Sequence, residues 1–558
     1  MSEAKSSARE SFDAIVVGSG LGGLCTAAYL CASGRRTLVL EGHYIAGGNS
    51  QVFRRKHGGR EFEFDVGIHY IGECGRDGSI TAVLNGVGLA ERVIFRPLDS
   101  DGYSNLHLPD FSFRIPFGWD RYRARLLETF PGEHAGLTPV LDVMQGVAEA
   151  SHRLGRGELD FADMADESPI FLQWGLRPVT ELFAEHRISD RAATVLLGEQ
   201  GCYAVRPSET PVVMAAGLTD HFLRGAYYPV GGGQVIAARL VEAIRAYGGE
   251  VRTQCPVQRI RVEKGRVLGV VAGKKNQRPM EIDAPVVVSG ADLKRTFSEL
   301  VGEEHWAPES LERVRSLEMA VPLFCAYLML DVDLADLGMT NSNHFILGDY
   351  DLEGIYDELD RGEISSKAMC YLTAASLKDP ASRNIAPAGY TNLQIMTLVP
   401  RSYDVWGVER GPAEGGRYHR DPEYRKRKNA LMDQLIQSSE QLIPDLRKHI
   451  VWKEAATPVS QERFTHSTGG TSYGVEMSCS QVGPMRVGPR TEIEGLFLCG
   501  ASTPSGPGIS GVMRGGVATA AEVLETDLLK PILAGEVFGD RSALPELRED
   551  WDAWRESH

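Results

Sequence analysis

The chain has 558 residues, with 59 Lys and Arg against 75 Asp and Glu, which gives a formal net charge of −16 at pH 7. A chain this acidic lacks the basic face that phosphate backbones require, so nucleic-acid binding is not expected. Hydrophobic residues make up 43% and charged residues 24%, which excludes wholesale disorder. Glycine is unusually frequent, at 61 residues, and should occupy special turns.

The nine cysteines are scattered, contain no C-x-x-C pair and are odd in number. This pattern is typical of neither a zinc site nor a disulfide framework, so we expect no metal. The first residues lack the apolar core of a signal peptide. Residues 14–34 carry no charge, but four clustered glycines favour a buried strand, turn and helix over a membrane span. We therefore expect a cytoplasmic protein, with peripheral membrane contact left open.

The first predicted unit is a strand at residues 12–17, a glycine-rich turn, a helix that ends at Gly34 and a second strand that closes on Glu41. The turn matches G-x-G-x-x-G through Gly18, Gly20 and Gly23, with Leu21 and Gly22 inside it. These glycines allow a tight turn, close approach to a pyrophosphate and close helix packing. Glu41 lies where a ribose hydroxyl would be bound. The unit therefore predicts a dinucleotide site.

A second glycine pair, Gly47-Gly48-Asn49, follows the ribose acid and suits a loop folded over an extended dinucleotide. At this point the sequence resembles the two-dinucleotide-fold FAD family that contains amine oxidases and phytoene desaturases. The resemblance implies FAD as the cofactor. We find no second complete G-x-G-x-x-G unit with a ribose acid, so a permanent NAD(P) domain is not expected.

A second strand, glycine loop and helix occur near the C-terminus, at residues 495–499, 500–511 and 512–524. The segment resembles the C-terminal flavin motif of the phytoene desaturase group. That likeness implies that both chain ends form one FAD site. It also implies cofactor contacts at Gly500, Ala501, Gly511 and Val512, and a backbone contact between Val257 and the adenine. The alternative is a buried helix that packs closely through its small residues.

Residues 64–72, FDVGIHYIG, closely resemble the corresponding strand of retinol saturase and its bacterial relatives. Residues 198–233 and the segments near Thr457 and Tyr473 resemble the same group, and carotenoid isomerases share much of this. The likeness covers most of residues 12–525 and is patchy between about 300 and 450. It implies flavin chemistry on a hydrophobic polyene, either retinoid- or carotenoid-like.

The leading functional hypothesis is saturation, in which a C=C bond receives hydride from flavin N5 and a proton on the neighbouring carbon. Carotenoid desaturation, cis–trans isomerisation and a non-catalytic prenyl-lipid carrier remain alternatives, and amine oxidation fits less well. An external electron donor or acceptor is expected. The candidate proton donors are His69, Tyr70 and Glu476, with Tyr473 nearby. His69 is the first choice because an imidazole titrates near neutral pH.

The predicted fold class is α/β: an FAD-binding Rossmann-like domain of the glutathione-reductase-like, two-dinucleotide-binding type, with an interwoven α+β substrate domain. The predicted FAD-binding parts are 12–115, 226–295 and 456–530. A substrate or lid insert is predicted at 116–225, a substrate domain at 300–455 and a tail without assigned function at 531–558. Within the insert, residues 168–176 are predicted as ordinary core, as the wall of a substrate tunnel or as an apolar lid that dips into a membrane.

Overall fold

The structure is a computed structural model and describes residues 10–274, 278–365, 367 and 369–558. Two large sheets organise these residues, one wholly parallel and one mixed. Together with a helical insert they surround a deep cavity. The predicted α/β class is confirmed.

The parallel sheet joins the two ends of the chain. Its five strands, among the described residues, are in spatial order Glu250–Arg252, Thr37–Leu40, Ala14–Val17, Val286–Ser289 and Leu496–Leu498. The three central strands are buried throughout, as expected for a parallel sheet that is covered on both faces. The C-terminal strand lies two places from the N-terminal one, so both predicted glycine loops leave the same edge of the sheet.

Alternate residues of Ala14–Val17 face opposite layers, because successive side chains of a strand point to opposite faces. Ala14 and Val16 pack with the helices, whereas Ile15 and Val17 pack against an antiparallel layer. The helices of the first layer are Leu21–Ala32, Gln234–Ala246 and Gly508–Leu524. The antiparallel layer contains Val257–Glu263, Arg266–Ala272 and Met280–Asp283, with Glu10–Ser11 alongside.

The mixed sheet forms the second body of the protein. Its seven strands in the described chain are, in spatial order, Ile450–Ala456, Leu323–Leu330, Thr391–Leu398, Cys370–Ala374, Asn343–Ile346, Ser104–His107 and Ser112–Ile115. The last two strands come from the segment predicted as the first FAD-binding part. The predicted boundary at residue 115 therefore does not coincide with a boundary between sheets.

Helices dominate residues 119–223, where the sequence predicts an insert. They are Trp119–Thr129, His134–Gly155, Met164–Glu167, Pro169–Trp174, Val179–Glu185, Asp190–Leu196 and Val212–Leu223. In the apolar run at 168–176, Trp174 is buried but Leu172 and Leu176 are each 52% exposed. The run is thus neither wholly core nor wholly surface.

Shorter strands connect these bodies. Val52–His57 pairs with Arg60–Asp65, and Ala226–Pro229 pairs with both Ile71–Gly72 and Phe95–Pro97. Residues 64–72, which resemble one strand of retinol saturase, therefore do not form a single strand here, since the strand ends at Asp65. There the Asp65 carboxylate accepts hydrogen bonds from the Tyr228 hydroxyl (2.5 Å) and the Gly233 N–H (3.0 Å), which turns the chain into the cavity wall.

The remaining helices lie around the two bodies. They are Ser79–Gly86, Leu293–Arg295, Pro308–Ser316, Leu352–Asp360, Ala375–Lys378, Pro422–Ser439, Leu446–His449, Pro458–Thr465, Leu529–Leu533 and Ala553–Glu556, with a π-helix at Thr296–Gly302. None of the helices in the described ranges combines the length and apolarity needed to cross a bilayer.

The C-terminal segment, residues 551–558, packs against the first nucleotide unit. The Ser557 carbonyl accepts a hydrogen bond from the Ala46 N–H (2.8 Å), and the Asp552 carboxylate forms a two-fold ion pair with Arg54 (2.6 and 2.8 Å). The Arg239 guanidinium lies over the Trp551 ring at 3.6 Å. The predicted tail is therefore part of the folded body.

Candidate functional site

A cavity of about 1010 Å³ lies between the two sheets and the helical insert. This volume is at the top of the roughly 300–1,000 Å³ range of small-molecule sites. All the residues predicted to contact the cofactor line it, namely Gly18, Gly20, Leu21, Gly22, Gly23, Glu41, Gly47, Gly48, Asn49, Val257, Gly500, Ala501, Gly511 and Val512. The structure thus brings together predicted site residues from both ends and the middle of the chain.

The glycines of the first loop have different surroundings. A Cβ on Gly23 would lie 2.4 Å from the Gly18 carbonyl oxygen, so the helix approaches the strand too closely for any side chain. A Cβ on Gly20 would meet no atom within 4 Å, and this open space lies on the cavity side. Gly20 therefore leaves room for a ligand, whereas Gly23 permits packing.

Glu41 is held by the loop that precedes the helix. One carboxylate oxygen accepts from the Ser19 N–H (2.8 Å) and the Ser19 hydroxyl (2.6 Å), and the other accepts from the His43 N–H (2.7 Å). A carboxylate has about four acceptor positions. One position therefore remains for a hydroxyl group of a ligand in the cavity.

The second glycine pair folds over the first loop. Gly48 has φ +56°, and a Cβ there would lie 2.9 Å from the Gly20 Cα. Asn49 is fixed at both ends of its amide, donating to the Ser472 carbonyl (3.1 Å) and accepting from Gln461 (2.5 Å). The predicted loop over the dinucleotide site is thus tied to the C-terminal part of the chain.

The helix Gly508–Leu524 begins four residues earlier than predicted. Its glycines suggested a loop because glycine is a poor helix former, but tertiary packing outweighs that preference here. A Cβ on Gly516 would lie 2.4 Å from the Gly22 carbonyl oxygen, and the Thr26 hydroxyl donates to the Gly516 carbonyl (2.9 Å). This helix and Leu21–Ala32 therefore pack backbone to backbone.

The residues present fit an extended dinucleotide such as FAD. Neither Leu21–Ala32 nor Gly508–Leu524 has a side-chain cap at its N-terminus, and both begin at the cavity wall. Their first N–H groups lack helical partners and carry the positive end of the helix dipole, which suits phosphate or an electron-rich ring. The open space at Gly20 and the free acceptor on Glu41 complete the cradle.

An apolar wall lies opposite this cradle. Leu323, Cys325 and Tyr327 occupy alternate positions of one strand and line the cavity, while the residues between them pack on the other side of the mixed sheet. Tyr371 and Met396 extend the wall from neighbouring strands, with Met369 just before the first of these, and Met214, Leu218 and Phe222 continue it on the helical insert. The wall can hold a long apolar ligand and exclude water.

His69 lines the cavity, but the reason for choosing it as proton donor is wrong. Burial and the nearby Lys378 charge lower the pKa of His69 to about 3. Lys378 is itself buried and donates to the His69 carbonyl, to Asn343 (2.7 Å) and to Thr373 (2.6 Å). His69 is therefore a neutral imidazole at physiological pH.

Tyr70 and Tyr473 also line the cavity. The Tyr70 ring stacks on Phe222 with centroids 4.1 Å apart, and its hydroxyl donates to Glu199 (2.8 Å). The Tyr473 hydroxyl donates to the Gly201 carbonyl (3.3 Å). Burial raises the pKa of both phenols, so each keeps its proton. Of the two, only Tyr70 is hydrogen-bonded to an ionisable group, the Glu199 carboxyl, from which it could regain a lost proton.

Glu476 does not line the cavity, which removes it as a donor to a bound ligand. Its carboxylate faces Arg401 at 2.8 Å, and its N–H donates to the Glu318 carbonyl. Burial raises the pKa of Glu476 to about 7, although the Arg401 charge opposes this. The polar turn that contains Glu476 reaches the cavity through Tyr473 instead.

Arg486 has a role near the site that the sequence did not reveal. Its guanidinium is almost fully buried and donates to the carbonyls of Val475, Glu476, Gln481, Ala501 and Thr503 at 2.6–3.2 Å. Burial lowers its pKa to about 10, so it remains charged. It joins the polar turn to the glycine loop that follows the last strand. No local motif marks it, because its partners come from two separate segments.

A polar cluster, defined as Glu73, His152, His221 and Arg514, lines one part of the cavity. The Gly72 N–H donates to His221 Nε2 (3.0 Å), which places the His221 proton on Nδ1, facing Glu73 at 3.5 Å. One guanidinium nitrogen of Arg514 donates a hydrogen bond to the Gly155 carbonyl (2.8 Å). Burial raises the pKa of Glu73, but His221, Ser79 and Arg514 outweigh this and hold it below its usual range. The cluster can bind a polar group.

The parallel sheet with its two glycine loops, the ribose acid and the interwoven second sheet define an α/β dinucleotide-binding oxidoreductase. Residues 21–382 match the family described as flavin containing amine oxidoreductase. The chain belongs to this family, and it is an FAD-dependent oxidoreductase.

Similar proteins extend the comparison. The all-trans-retinol 13,14-reductase of Rattus norvegicus is 26% identical over 94% of this chain and 88% of its own. Prolycopene isomerase 1, chloroplastic, of an Oncidium hybrid cultivar is 28% identical over 92% of this chain and 84% of its own. A solved structure of a putrescine oxidase double mutant, redesigned in cofactor binding, has TM-score 0.60 at 11% identity and covers 93% of this chain and 100% of that one.

Proposed function

We propose that this protein reduces a C=C bond of a retinoid- or carotenoid-like polyene. The observation that carries the proposal is the apolar wall, which shares one cavity with the glycine loops of the FAD cradle. Two relatives support it, since one is named for reduction of all-trans-retinol and the other for isomerisation of prolycopene. The putrescine oxidase supports the fold alone.

In this proposal the predicted cofactor residues hold FAD. Glu41 would bind its ribose, the N-termini of Leu21–Ala32 and Gly508–Leu524 would stabilise its electron-rich groups, and the Val257 backbone would contact its adenine. Bound FAD supplies the hydride for one carbon of the double bond. The wall at Leu323, Cys325 and Tyr327 orients the polyene and keeps water away from it.

The proton for the neighbouring carbon is assigned to Tyr70. His69 is neutral through the physiological range and Glu476 lies outside the cavity, so neither is suited to the role. Tyr70 lines the cavity, keeps its phenolic proton and is hydrogen-bonded to the Glu199 carboxyl group. A general acid must be within hydrogen-bond reach of its target, and the position of Tyr70 on the cavity wall supports this assignment.

The polar cluster favours a polyene that ends in a polar group such as a hydroxyl. Glu73, His152, His221 and Arg514 would lose hydration against a hydrocarbon end without gaining a partner. A site built to hydrogen-bond a substrate hydroxyl rejects an analogue that lacks it by up to about 10⁴–10⁵-fold. A retinol-like molecule therefore suits this cavity better than an all-hydrocarbon carotenoid.

Isomerisation is the second candidate function, and the likeness to prolycopene isomerase favours it. It would use the same cavity with no net transfer of electrons. A lipid carrier without flavin chemistry does not fit a chain that belongs to a flavin family. An external electron donor remains part of the proposal for reduction.

The domain assignment is likewise a proposal. The FAD-binding unit would comprise 12–115, 226–295 and 456–530, except the strands Ser104–His107 and Ser112–Ile115, which lie in the mixed sheet. The rest of that sheet, within 300–455, and the insert at 116–225 would hold the substrate.

A membrane contact is proposed at the insert, where Phe161 (64% exposed), Leu172 and Leu176 present apolar side chains to solvent. Asp160, Asp163 and Asp166 lie close by in the chain, so an uncharged lipid surface suits this patch better than an anionic one. Flotation with phosphatidylcholine vesicles should capture the protein, and a triple serine variant of the three apolar residues should stay unbound. Equal recovery of both proteins would refute the contact.

A polyene panel tests the proposed function. The purified protein, loaded with FAD and reduced by dithionite, is incubated with retinol, its hydrocarbon analogue and lycopene. With the reduced protein, reduction predicts a product heavier by about two mass units and isomerisation no change in mass, whereas desaturation, which needs the oxidised protein, predicts a loss of about two there. We expect reduction of retinol and little reaction of either hydrocarbon. Turnover of simple amines by the oxidised protein, with all polyenes unchanged, would contradict the proposal.

A further inference from the structure

Glu199 is a buried carboxyl group to which the proposed function assigns no role. Three neutral hydroxyls lie within hydrogen-bond distance of it: Tyr70 (2.8 Å) and Ser104 (2.6 Å) at one oxygen, and Tyr103 (3.0 Å) at the other. None of the ion pairs formed among the described residues includes Glu199. Burial without a cationic partner favours the neutral acid, and a neutral acid must donate its own proton to one of these hydroxyls, for which Tyr70 Oη can be the acceptor.

The Tyr70 hydroxyl connects this carboxyl group to the cavity. It lies 2.8 Å from Glu199 Oε1 and 3.2 Å from Cys202 Sγ. Tyr70 and Cys202 line the cavity, whereas Glu199 lies behind them. The stack of Tyr70 on Phe222 fixes the ring, so its hydroxyl cannot turn away without breaking both contacts.

Tyr103 offers a contrast within the same cluster. Its hydroxyl donates to Glu199 in the same way as that of Tyr70, but Tyr103 does not line the large cavity. Its ring is fully buried between Phe117 and Phe222. Of these two phenols, only Tyr70 can pass a proton from the carboxyl group to a ligand.

We propose that Glu199 stores the proton that Tyr70 delivers to the substrate. When the phenolic proton of Tyr70 bonds to the substrate carbon next to the one that receives hydride, the Glu199 proton moves to Tyr70 Oη. The carboxylate then regains a proton from water before the next turnover. The double bond thus gains one hydride and one proton, and the protein returns to its starting state. Glu199 acts through Tyr70 and is a positioning residue.

The surroundings of Glu199 support this assignment. Burial raises its pKa, while the hydrogen bonds with Ser104, Tyr70 and Tyr103 oppose the rise. The other ionisable groups that face it are Cys202, Tyr122 and Tyr371, and burial keeps each of them neutral. Tyr70 is thus the neutral donor that links this proton to the cavity.

The experiment compares E199Q, Y70F and Y103F with the wild type, all loaded with FAD. E199Q keeps an acceptor for Tyr70 but has no transferable proton. Y103F removes an equivalent hydrogen bond to Glu199 without touching the path. The first measurement is single-turnover retinol reduction in H₂O and D₂O after dithionite reduction. The second is the infrared C=O stretch of protonated carboxyl groups in the substrate-free protein at pH 7, which requires no turnover.

We expect the protonated-carboxyl band of Glu199 to appear in the difference spectra of the wild type and of Y103F against E199Q, in which the contribution of Glu476, whose pKa is about 7, cancels. A positioned general acid contributes about 10²–10⁴-fold, so E199Q and Y70F should slow reduction on that scale with unchanged FAD content. Y103F should stay within about threefold and keep the wild-type solvent isotope effect.

Failure of this inference can be told apart from failure of the proposed function, on which it rests. A wild type that reduces no polyene would refute the function, and the infrared band would still test whether Glu199 holds a proton. If the wild type reduces retinol but E199Q does so at the same rate, or if the band attributed to Glu199 is missing at pH 7, Glu199 does not supply the proton.

Discussion

Two glycines of the first loop separate cofactor binding from folding. Gly20 faces open space and Gly23 faces the Gly18 carbonyl, so a methyl group at each position should have different effects. We expect G20A to fold with stability unchanged within about 0.5 kcal/mol in the absence of FAD, but to bind FAD poorly. G23A should destabilise the protein itself by about 1–3 kcal/mol, because its Cβ overlaps the backbone.

Urea unfolding of FAD-free protein and fluorescence titration with FAD distinguish the two effects. G132A is the matched control, because a Cβ at Gly132 also meets nothing within 4 Å but that residue does not line the cavity. If G20A bound FAD as tightly as G132A does, the open space would not be part of the cofactor cradle.

Among the structural elements, the polar turn and the final glycine loop are connected by Arg486, which donates hydrogen bonds to carbonyls of both segments. R486K would keep the charge but lose the planar fork, and several buried carbonyls would lack a donor. We expect a loss of about 3–5 kcal/mol in unfolding free energy and weaker FAD binding.

Thermal unfolding of R486K, with R490K as the control, measures the loss of stability. Arg490 is 54% exposed and pairs with Glu522 at the surface, so its replacement should change stability by less than about 1 kcal/mol. Similar melting temperatures for the two variants would mean that Arg486 does not hold the loops together.

The sequence predicted elements well where the signal was local. The first strand, glycine turn, helix and second strand follow one another directly, and G-x-G-x-x-G constrains each step. It failed where tertiary contacts decide the outcome. Residues 64–72 resemble one strand, but the strand stops at Asp65, where Tyr228 and Gly233 bind the carboxylate. The helix Gly508–Leu524 starts earlier than predicted because it packs on Gly22.

Site residues divide in the same way. Glu41 and the glycines lie within motifs and were predicted, but Glu199, Lys378 and Arg486 were not. Glu199 meets Tyr70 across 129 positions and Lys378 meets His69 across 309, and no spacing rule reaches that far. Burial also changed chemistry that residue type alone suggested, since it keeps His69 neutral.

On the scale of the whole molecule, the last eight residues support the loop that covers the dinucleotide site. The Gln234 amide donates to the Ala46 carbonyl (2.7 Å) and the Ser557 hydroxyl (2.9 Å), and it accepts from the Val52 N–H (2.9 Å). Since Ala46 precedes Gly47 and Gly48, the C-terminal segment acts on the cradle through this side chain.

Removal of residues 551–558 should therefore weaken FAD binding at least tenfold, about 1.4 kcal/mol, while the two sheets remain folded. Q234A should have a similar effect in the full-length chain, because it breaks the same bridge. Both changes remove the contact between Gln234 and Ser557, so the double variant should lose clearly less than the sum of the single losses. FAD titration of the wild type, the truncated protein, Q234A and the double variant gives the double-mutant cycle. Circular dichroism checks that each protein is folded. Additive losses would mean that the segment supports the cradle by another route, and an unchanged affinity after truncation would mean that it gives no support.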